Sequence, residues 1–174
     1  MRIIEANKEF NSEDMHLGLM LYGYYCYHDN RLEDIVPSDI EWKHTQNTIQ
    51  PYGTSLCPSA TKILNDTQLP RYKVYYPDLQ IKHSICFYGI DKNANDWHCD
   101  NLENIKIQAL CYQTNFDIMD GGSLQIKSFD GEEIHYYPKN GDVVLMNHHS
   151  SELMHKVGKI LTDKDRIVIN MVME

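Results

Sequence analysis

The sequence has no surplus of positive charge. Its 174 residues carry 16 Lys and Arg against 25 Asp and Glu, a formal charge of −9 with His taken as neutral, and neither residues 1–90 nor residues 91–174 are net basic. A surface that grips phosphate backbones needs the opposite balance, so generic nucleic-acid binding is excluded. Closely spaced cysteine pairs are also missing. Cys26, Cys57, Cys86, Cys99 and Cys111 are odd in number and nowhere form Cys-x-x-Cys, which argues against a zinc ribbon or a redox dithiol and for reduced thiols. Long apolar runs are absent too. The longest nearly apolar stretch, Leu17 to Tyr27, is too short and too rich in Tyr and Gly to span a bilayer, and the first residues lack the apolar segment of a secretory signal. The expectation is a protein of the reducing cytoplasm with no membrane partner. With no repeat, low-complexity tract or Gly/Ser/Pro linker, residues 1–174 read as one domain, and 42% hydrophobic residues suffice for a real core.

What is present divides into two stretches. In residues 1–70, Ser12 before Glu13 and Asp14 reads as a helix start that passes into an extended segment near Tyr24. Pro58-Ser59 opens a second helix, with Ser59 able to cap its amides and Pro70 beyond its end. From residue 71 the pattern becomes short β-rich runs: Tyr72 to Tyr76, Ser84 to Ile90, Ile105 to Tyr112, Ser123 to Ser128, Val143 to Met146 and Arg166 to Met173. Asp120-Gly121-Gly122 and Pro138 to Asp142 read as hairpin-type turns between them. No helical pattern separates the late strands, so the sheet should be mainly antiparallel, a sandwich or open barrel with a mouth for a small ligand.

Nine histidines in an acidic chain raise the question of which are arranged. On a strand, His98 and Asp100 in Trp97-His98-Cys99-Asp100 point to one face while Cys99 points to the other. If His155 lies on a neighbouring strand facing the same interior, two imidazoles and a carboxylate occupy one face of a metal, the arrangement that suits non-haem Fe(II). Taken alone, His-x-Asp is more often surface polarity or a hydrogen-bonded pair. On the last strand, alternation puts Arg166, Val168, Asn170 and Val172 on one face and Ile167, Ile169, Met171 and Met173 on the other. An inward Arg166 would need an anion. By itself it reads more simply as the exposed end of an edge strand, paired with Asp163 and Asp165.

In order and spacing, His98-x-Asp100, the Gly121 to Ile126 turn and strand, Pro138-x-x-Gly141-Asp142 to Met146, His155-Lys156-Val157 and Arg166 together resemble the Fe(II)- and 2-oxoglutarate-dependent dioxygenases, most of all their prolyl-hydroxylase branch. The resemblance covers about Ser84 to Val172. It implies a mainly β fold, a double-stranded β-helix or distorted jelly roll over residues 71–174, with residues 1–70 as supporting N-terminal helices and extended segments. It implies His98, Asp100 and His155 as catalytic iron ligands and Arg166 as the residue that binds the distal carboxylate of 2-oxoglutarate. Tyr112, Tyr88 and Asn170 join the cosubstrate-binding set. The implied cofactors are Fe(II), 2-oxoglutarate and O2, with ascorbate as a further candidate. The implied reaction hydroxylates a C–H bond of an amino-acid or peptidyl substrate, prolyl included, with release of succinate and CO2. Many relatives carry Ser or Thr two residues after the cosubstrate arginine; Val168 stands there, which leaves the second carboxylate contact to a tyrosine such as Tyr112. His148 and His149 compete with His155 for the third ligand, but neither is followed by Lys-Val and Arg at the expected places. A catalytically silent jelly roll that binds a ligand or partner is the alternative of a different class, and a cupin-like metal enzyme without 2-oxoglutarate is a third.

Overall fold

The computed structural model describes residues 1–44, 52–55, 58–89, 96–100, 103–148 and 153–174. Eleven strands run in chain order: β1 (Arg2–Ile4), β2 (Tyr24–His28), β3 (Lys43–His44), β4 (Tyr52–Ser55), β5 (Ile81–Gly89), β6 (Ile107–Tyr112), β7 (Leu124–Lys127), β8 (Glu133–Tyr136), β9 (Asp142–Asn147), β10 (His155–Val157) and β11 (Arg166–Met173). Three helices, α1 (Ser12–Leu21), α2 (Pro58–Thr67) and α3 (Leu69–Tyr72), come from the front of the chain. The strands form a seven-stranded sheet, β2-β9-β6-β11-β5-β4-β3, and a four-stranded sheet, β1-β8-β7-β10. Among the described strands every pairing is antiparallel except β1 with β8. No described helix is long and apolar enough to cross a membrane.

Two hydrophobic cores follow from strand alternation. Leu110, Tyr112, Val144, Met146 and Val168 of the large sheet meet Leu124, Ile126, Ile134 and Tyr136 of the small one, filling the space between the sheets. The alternate residues of the same strands, Ile107, Ala109, Cys111, Val143, Leu145, Ile169, Met171 and Met173, pack with Met15, Leu19 and Leu64 of the helices on the other face. Every residue of β6 and β9 is therefore buried, and apart from Gln108 and the end residues Asp142 and Asn147 their sequences are apolar instead of alternating.

Four local expectations change. Tyr72 to Tyr76 is not a strand: Pro70 sits in the first turn of α3, and turns follow it. The tyrosines that looked strand-like are held by their hydroxyls, Tyr72 against Tyr27 and Tyr76 against His16 Nδ1, so side-chain bonding outweighs β propensity. Asn11, not Ser12, caps α1, its side chain accepting the Asp14 amide at 3.0 Å. The Gly121-Gly122 and Pro138 to Asp142 turns are crossovers, because β6 and β9 belong to one sheet and β7 and β8 to the other; the hairpin is β7–β8, turning at Gly131 with φ +89°. Residues 1–70 also do more than supply helices, since β1 to β4 extend both sheets.

Asp29, at the end of β2, ties the helices to the large sheet. Its carboxylate is 8% exposed and accepts from Arg31 Nε and Nη2, Gln68 Nε2 and Arg71 Nη1 at 2.6–2.9 Å. Burial alone would raise its pKa, but Arg31, Gln68 and Arg71 together hold it well below the usual carboxylate range. The stabilisation is thus complete above the ordinary aspartate pKa and is lost as pH falls below it. Asp29→Ala removes one acceptor of the buried Gln68 amide and the carboxylate shared by Arg31 and Arg71, and should cost about 2–3 kcal/mol. Urea denaturation at pH 7 checks this, and the gap between variant and wild type should narrow below about pH 4.

Candidate metal centre

Residues 97–99 lie beside β10, with His98 and His155 exchanging both backbone hydrogen bonds, N to O 3.0 Å and 2.9 Å. Directly opposed residues project to the same face. The two imidazoles stand side by side, ring centroids 4.5 Å apart. Two residues on, Asp100 returns to that face. Its Oδ1 is 3.6 Å from His98 Nε2 and its Oδ2 is 3.6 Å from His155 Nε2. One ligand atom from each residue lies within 4.8 Å of the other two, close enough to share one ion.

Both histidines are prepared for that role. His98 Nδ1 is 2.9 Å from the Asp96 carbonyl and His155 Nδ1 is 3.1 Å from the Leu153 carbonyl. A carbonyl only accepts, so each Nδ1 carries a proton, which leaves Nε2, beside Asp100, as the atom that would ligate an ion. Burial works to raise the Asp100 pKa, but His155 first, then Gln108 and His98, hold it at about 2. The carboxylate is ionised at any neutral pH. Two imidazoles and one carboxylate from one side leave the rest of an ion's coordination sphere to small molecules, a donor set that fits non-haem iron.

Arg166 opens β11, which lies between β6 and β5 and is no edge strand. It is 4% exposed. Its Nη2 donates to Tyr112 Oη at 3.2 Å, and its guanidinium lies over the Tyr112 ring, 5.4 Å from the centroid. Nε and Nη1 are buried with no acceptor. The expected surface salt bridge is not made: Asp165 instead accepts the Tyr88 hydroxyl. An uncompensated guanidinium in this interior costs several kcal/mol, on the order of 3–5 by comparison with broken buried pairs. Its idle Nε and Nη1 donors call for an anionic acceptor such as a carboxylate. Burial raises the Tyr112 pKa even though Arg166 works to lower it, so the phenol keeps its proton. Tyr112 accepts from Arg166 and retains an O–H to donate.

Not every expected residue comes to this place. Tyr88 pairs with Ile167, so it lies on the helix-side face of the large sheet, against Trp42 with ring centroids 5.3 Å apart and Asp165. Asn170 shares the Arg166 face of β11 and accepts from Gln108 Nε2 at 3.0 Å. Gln108 also donates to Asp100 Oδ2 at 3.0 Å, which links the histidine–carboxylate cluster to the strand carrying Arg166. Sequence reasoning missed Gln108. The one polar residue in the buried run Ile107 to Tyr112, on the Tyr112 face by alternation, was the signal. His148 is part-buried, its Nε2 2.7 Å from Gln108 Oε1, and burial lowers its pKa. His149 lies outside the described residues. His28 pairs with Asp142, His135 with Glu133 and His16 with Tyr76, all away from the cluster.

No protein-family model and no curated protein matches the sequence. Solved structures do match the fold. A 2OG-Fe(II) oxygenase family oxidoreductase from Burkholderia pseudomallei superposes with a TM-score of 0.74 at 14% identity, covering 99% of this chain and 94% of that one. A prolyl hydroxylase from Trichoplax adhaerens, solved with a hypoxia inducible factor peptide fragment, gives 0.70 at 15% identity over 93% and 88% of the two chains. A Pseudomonas putida prolyl-4-hydroxylase gives 0.68 at 16% identity over 94% and 98%. The chain thus has the jelly-roll fold of the 2OG-Fe(II) oxygenases, the prolyl hydroxylases among them.

A site of this composition should bind a divalent ion without cosubstrate. Under anaerobic conditions Fe(II) or Co(II) at one hundred times its Kd should stabilise the wild type by about 2.7 kcal/mol. The thermal midpoint should rise accordingly, and His155→Ala should remove the rise. A wild-type midpoint indifferent to either metal would exclude an ion from this cluster.

Proposed function

We propose that the protein is an Fe(II)- and 2-oxoglutarate-dependent dioxygenase that hydroxylates a C–H bond of an amino-acid or peptidyl substrate. The observation that carries this reading is the pair of idle, buried N–H groups of Arg166 inside the same barrel as His98, Asp100 and His155. A metal site alone would not call for a buried cation; a cosubstrate with a distal carboxylate does. The silent jelly-roll alternative leaves the His98, Asp100 and His155 cluster without a purpose.

The roles divide among this chain's residues. His98, Asp100 and His155 would hold the iron, Asp100 also reducing the net positive charge of the centre. Arg166 would take the distal carboxylate of 2-oxoglutarate through its guanidinium, with the Tyr112 hydroxyl adding a donor where Val168 offers none. Asn170, on the same face, serves the centre through Gln108. When bound, ferrous iron with 2-oxoglutarate and O2 supplies the oxidising chemistry, converting the cosubstrate to succinate and CO2 as a substrate C–H bond becomes C–OH. Leu110, Leu124, Val144 and Val168 line the interior with apolar surface, which excludes stray water and strengthens the charge pairing there. The peptidyl or amino-acid substrate is supported by likeness to prolyl hydroxylases, one of them solved with a peptide. A reducing compartment such as the cytoplasm suits Cys26, Cys86, Cys99 and Cys111, none of which is in a disulfide, and would also keep the iron ferrous.

Anaerobic titration with Fe(II) and then 2-oxoglutarate, followed by succinate measurement after oxygen is admitted with ascorbate present, tests the proposal. Wild type should bind both and release succinate; protein that binds neither would refute the enzyme reading. Arg166→Gln should weaken 2-oxoglutarate on the order of 100-fold, about 3 kcal/mol, with iron affinity kept. Unchanged cosubstrate affinity in that variant would refute the role of Arg166.

A further inference from the structure

One buried amide at this site has committed all of its hydrogens. Gln108 is 1% exposed and faces the barrel from β6. Its Nε2 is 3.0 Å from Asp100 Oδ2 and 3.0 Å from Asn170 Oδ1, and its Oε1 is 2.7 Å from His148 Nε2. A carboxylate can only accept, so the amide has one orientation: Nε2 toward Asp100 and Oε1 toward His148. The proton between Gln108 and His148 therefore resides on His148 Nε2. Each Nε2 hydrogen has its own acceptor, and rotating the amide would break three hydrogen bonds in a buried place.

We propose that Gln108 is the positioning residue of the metal-binding carboxylate, resting on the metal-centre reading above. It occupies Oδ2 of Asp100, so that ligation through Oδ1 alone is favoured over chelation by both oxygens. Asn170 and His148 are its two supports: they come from β11 and from just beyond β9, the neighbours of β6 in the large sheet, and fix the amide from both sides. A carboxylate that chelates takes two coordination positions; one that is held to a single oxygen leaves the second position to cosubstrate. This gives His148 a function different from the third-ligand role for which it competes in the sequence. It also explains why a polar residue stands in the most apolar strand of the barrel.

Co(II), added anaerobically and without cosubstrate, is the probe, because its visible bands weaken as its coordination number rises. Wild type should bind Co(II), and failure to do so would overturn the metal-centre reading and this inference with it. Gln108→Leu keeps the bulk of the side chain and removes its polar groups. It should fold, as seen by circular dichroism, bind Co(II) about 10- to 100-fold more weakly, and show visible bands of changed position or intensity when saturated. His148→Phe and Asn170→Ala each remove one support and should weaken Co(II) severalfold. If wild type binds Co(II) while Gln108→Leu folds and binds it with unchanged affinity and spectrum, Gln108 merely fills space and the inference is wrong. If Gln108→Leu does not fold, the support variants decide: a severalfold loss in both upholds the inference, and unchanged affinity in either overturns it.

Discussion

The alternation of β11, held in the middle of the large sheet, governs the rest of the structure. With β6 on one side and β5 on the other, this strand cannot slip its register without exchanging its two faces. Ile169, Met171 and Met173 belong to the core beneath the helices, and Val168 to the core between the sheets. Once those apolar residues are placed, Arg166 and Asn170 must face the barrel. The guanidinium is buried because the hydrophobic pattern of its own strand leaves it no other direction.

The same interior holds two charges of opposite sign, a part-buried Asp100 and a buried Arg166. Asp100 is accommodated by the imidazoles and the Gln108 amide; Arg166 has a tyrosine hydroxyl and ring and two unanswered N–H groups. The cost of the second charge is borne by the folded protein until an anion arrives, and an arriving anion meets donors that need no rearrangement. Burying the cation on a central strand also makes it rigid. Under the proposed function, the stability given up at this one residue serves recognition of a carboxylate.

The sequence made the chemistry of the site legible and its surroundings less so. His98-x-Asp100 and His155 can be picked out because period two places the pair on one face and the motif order supplies the third member. Arg166 alone favoured an exposed edge strand beside Asp163 and Asp165, since nothing local says that β5 and β6 will flank it. Tyr88 was misjudged for the related reason that its face depends on pairing with Ile167, a long-range register. The supposed hairpins at Gly121-Gly122 and Pro138 to Asp142 have sound turn chemistry, but turn residues cannot say whether the chain returns to the same sheet or crosses to the other. The stretch from Tyr72 to Tyr76 failed because two hydroxyl contacts, with Tyr27 and His16, outweigh what aromatic composition suggests.

Gln108 illustrates where single-residue reading stops and geometry takes over. In sequence it is a polar interruption of an apolar strand, a position that by itself signals either a cost or a role. In the structure each of its amide hydrogens has an acceptor, and the identity of one of them, a carboxylate that cannot donate, fixes the direction of every other bond in the set. The same reasoning assigns the protons of His98 and His155 from their backbone carbonyls. Three histidine tautomers and one amide orientation thus follow from acceptors that have no alternative behaviour. The cluster is directional before any ion is bound, because its surroundings determine which atoms can present lone pairs.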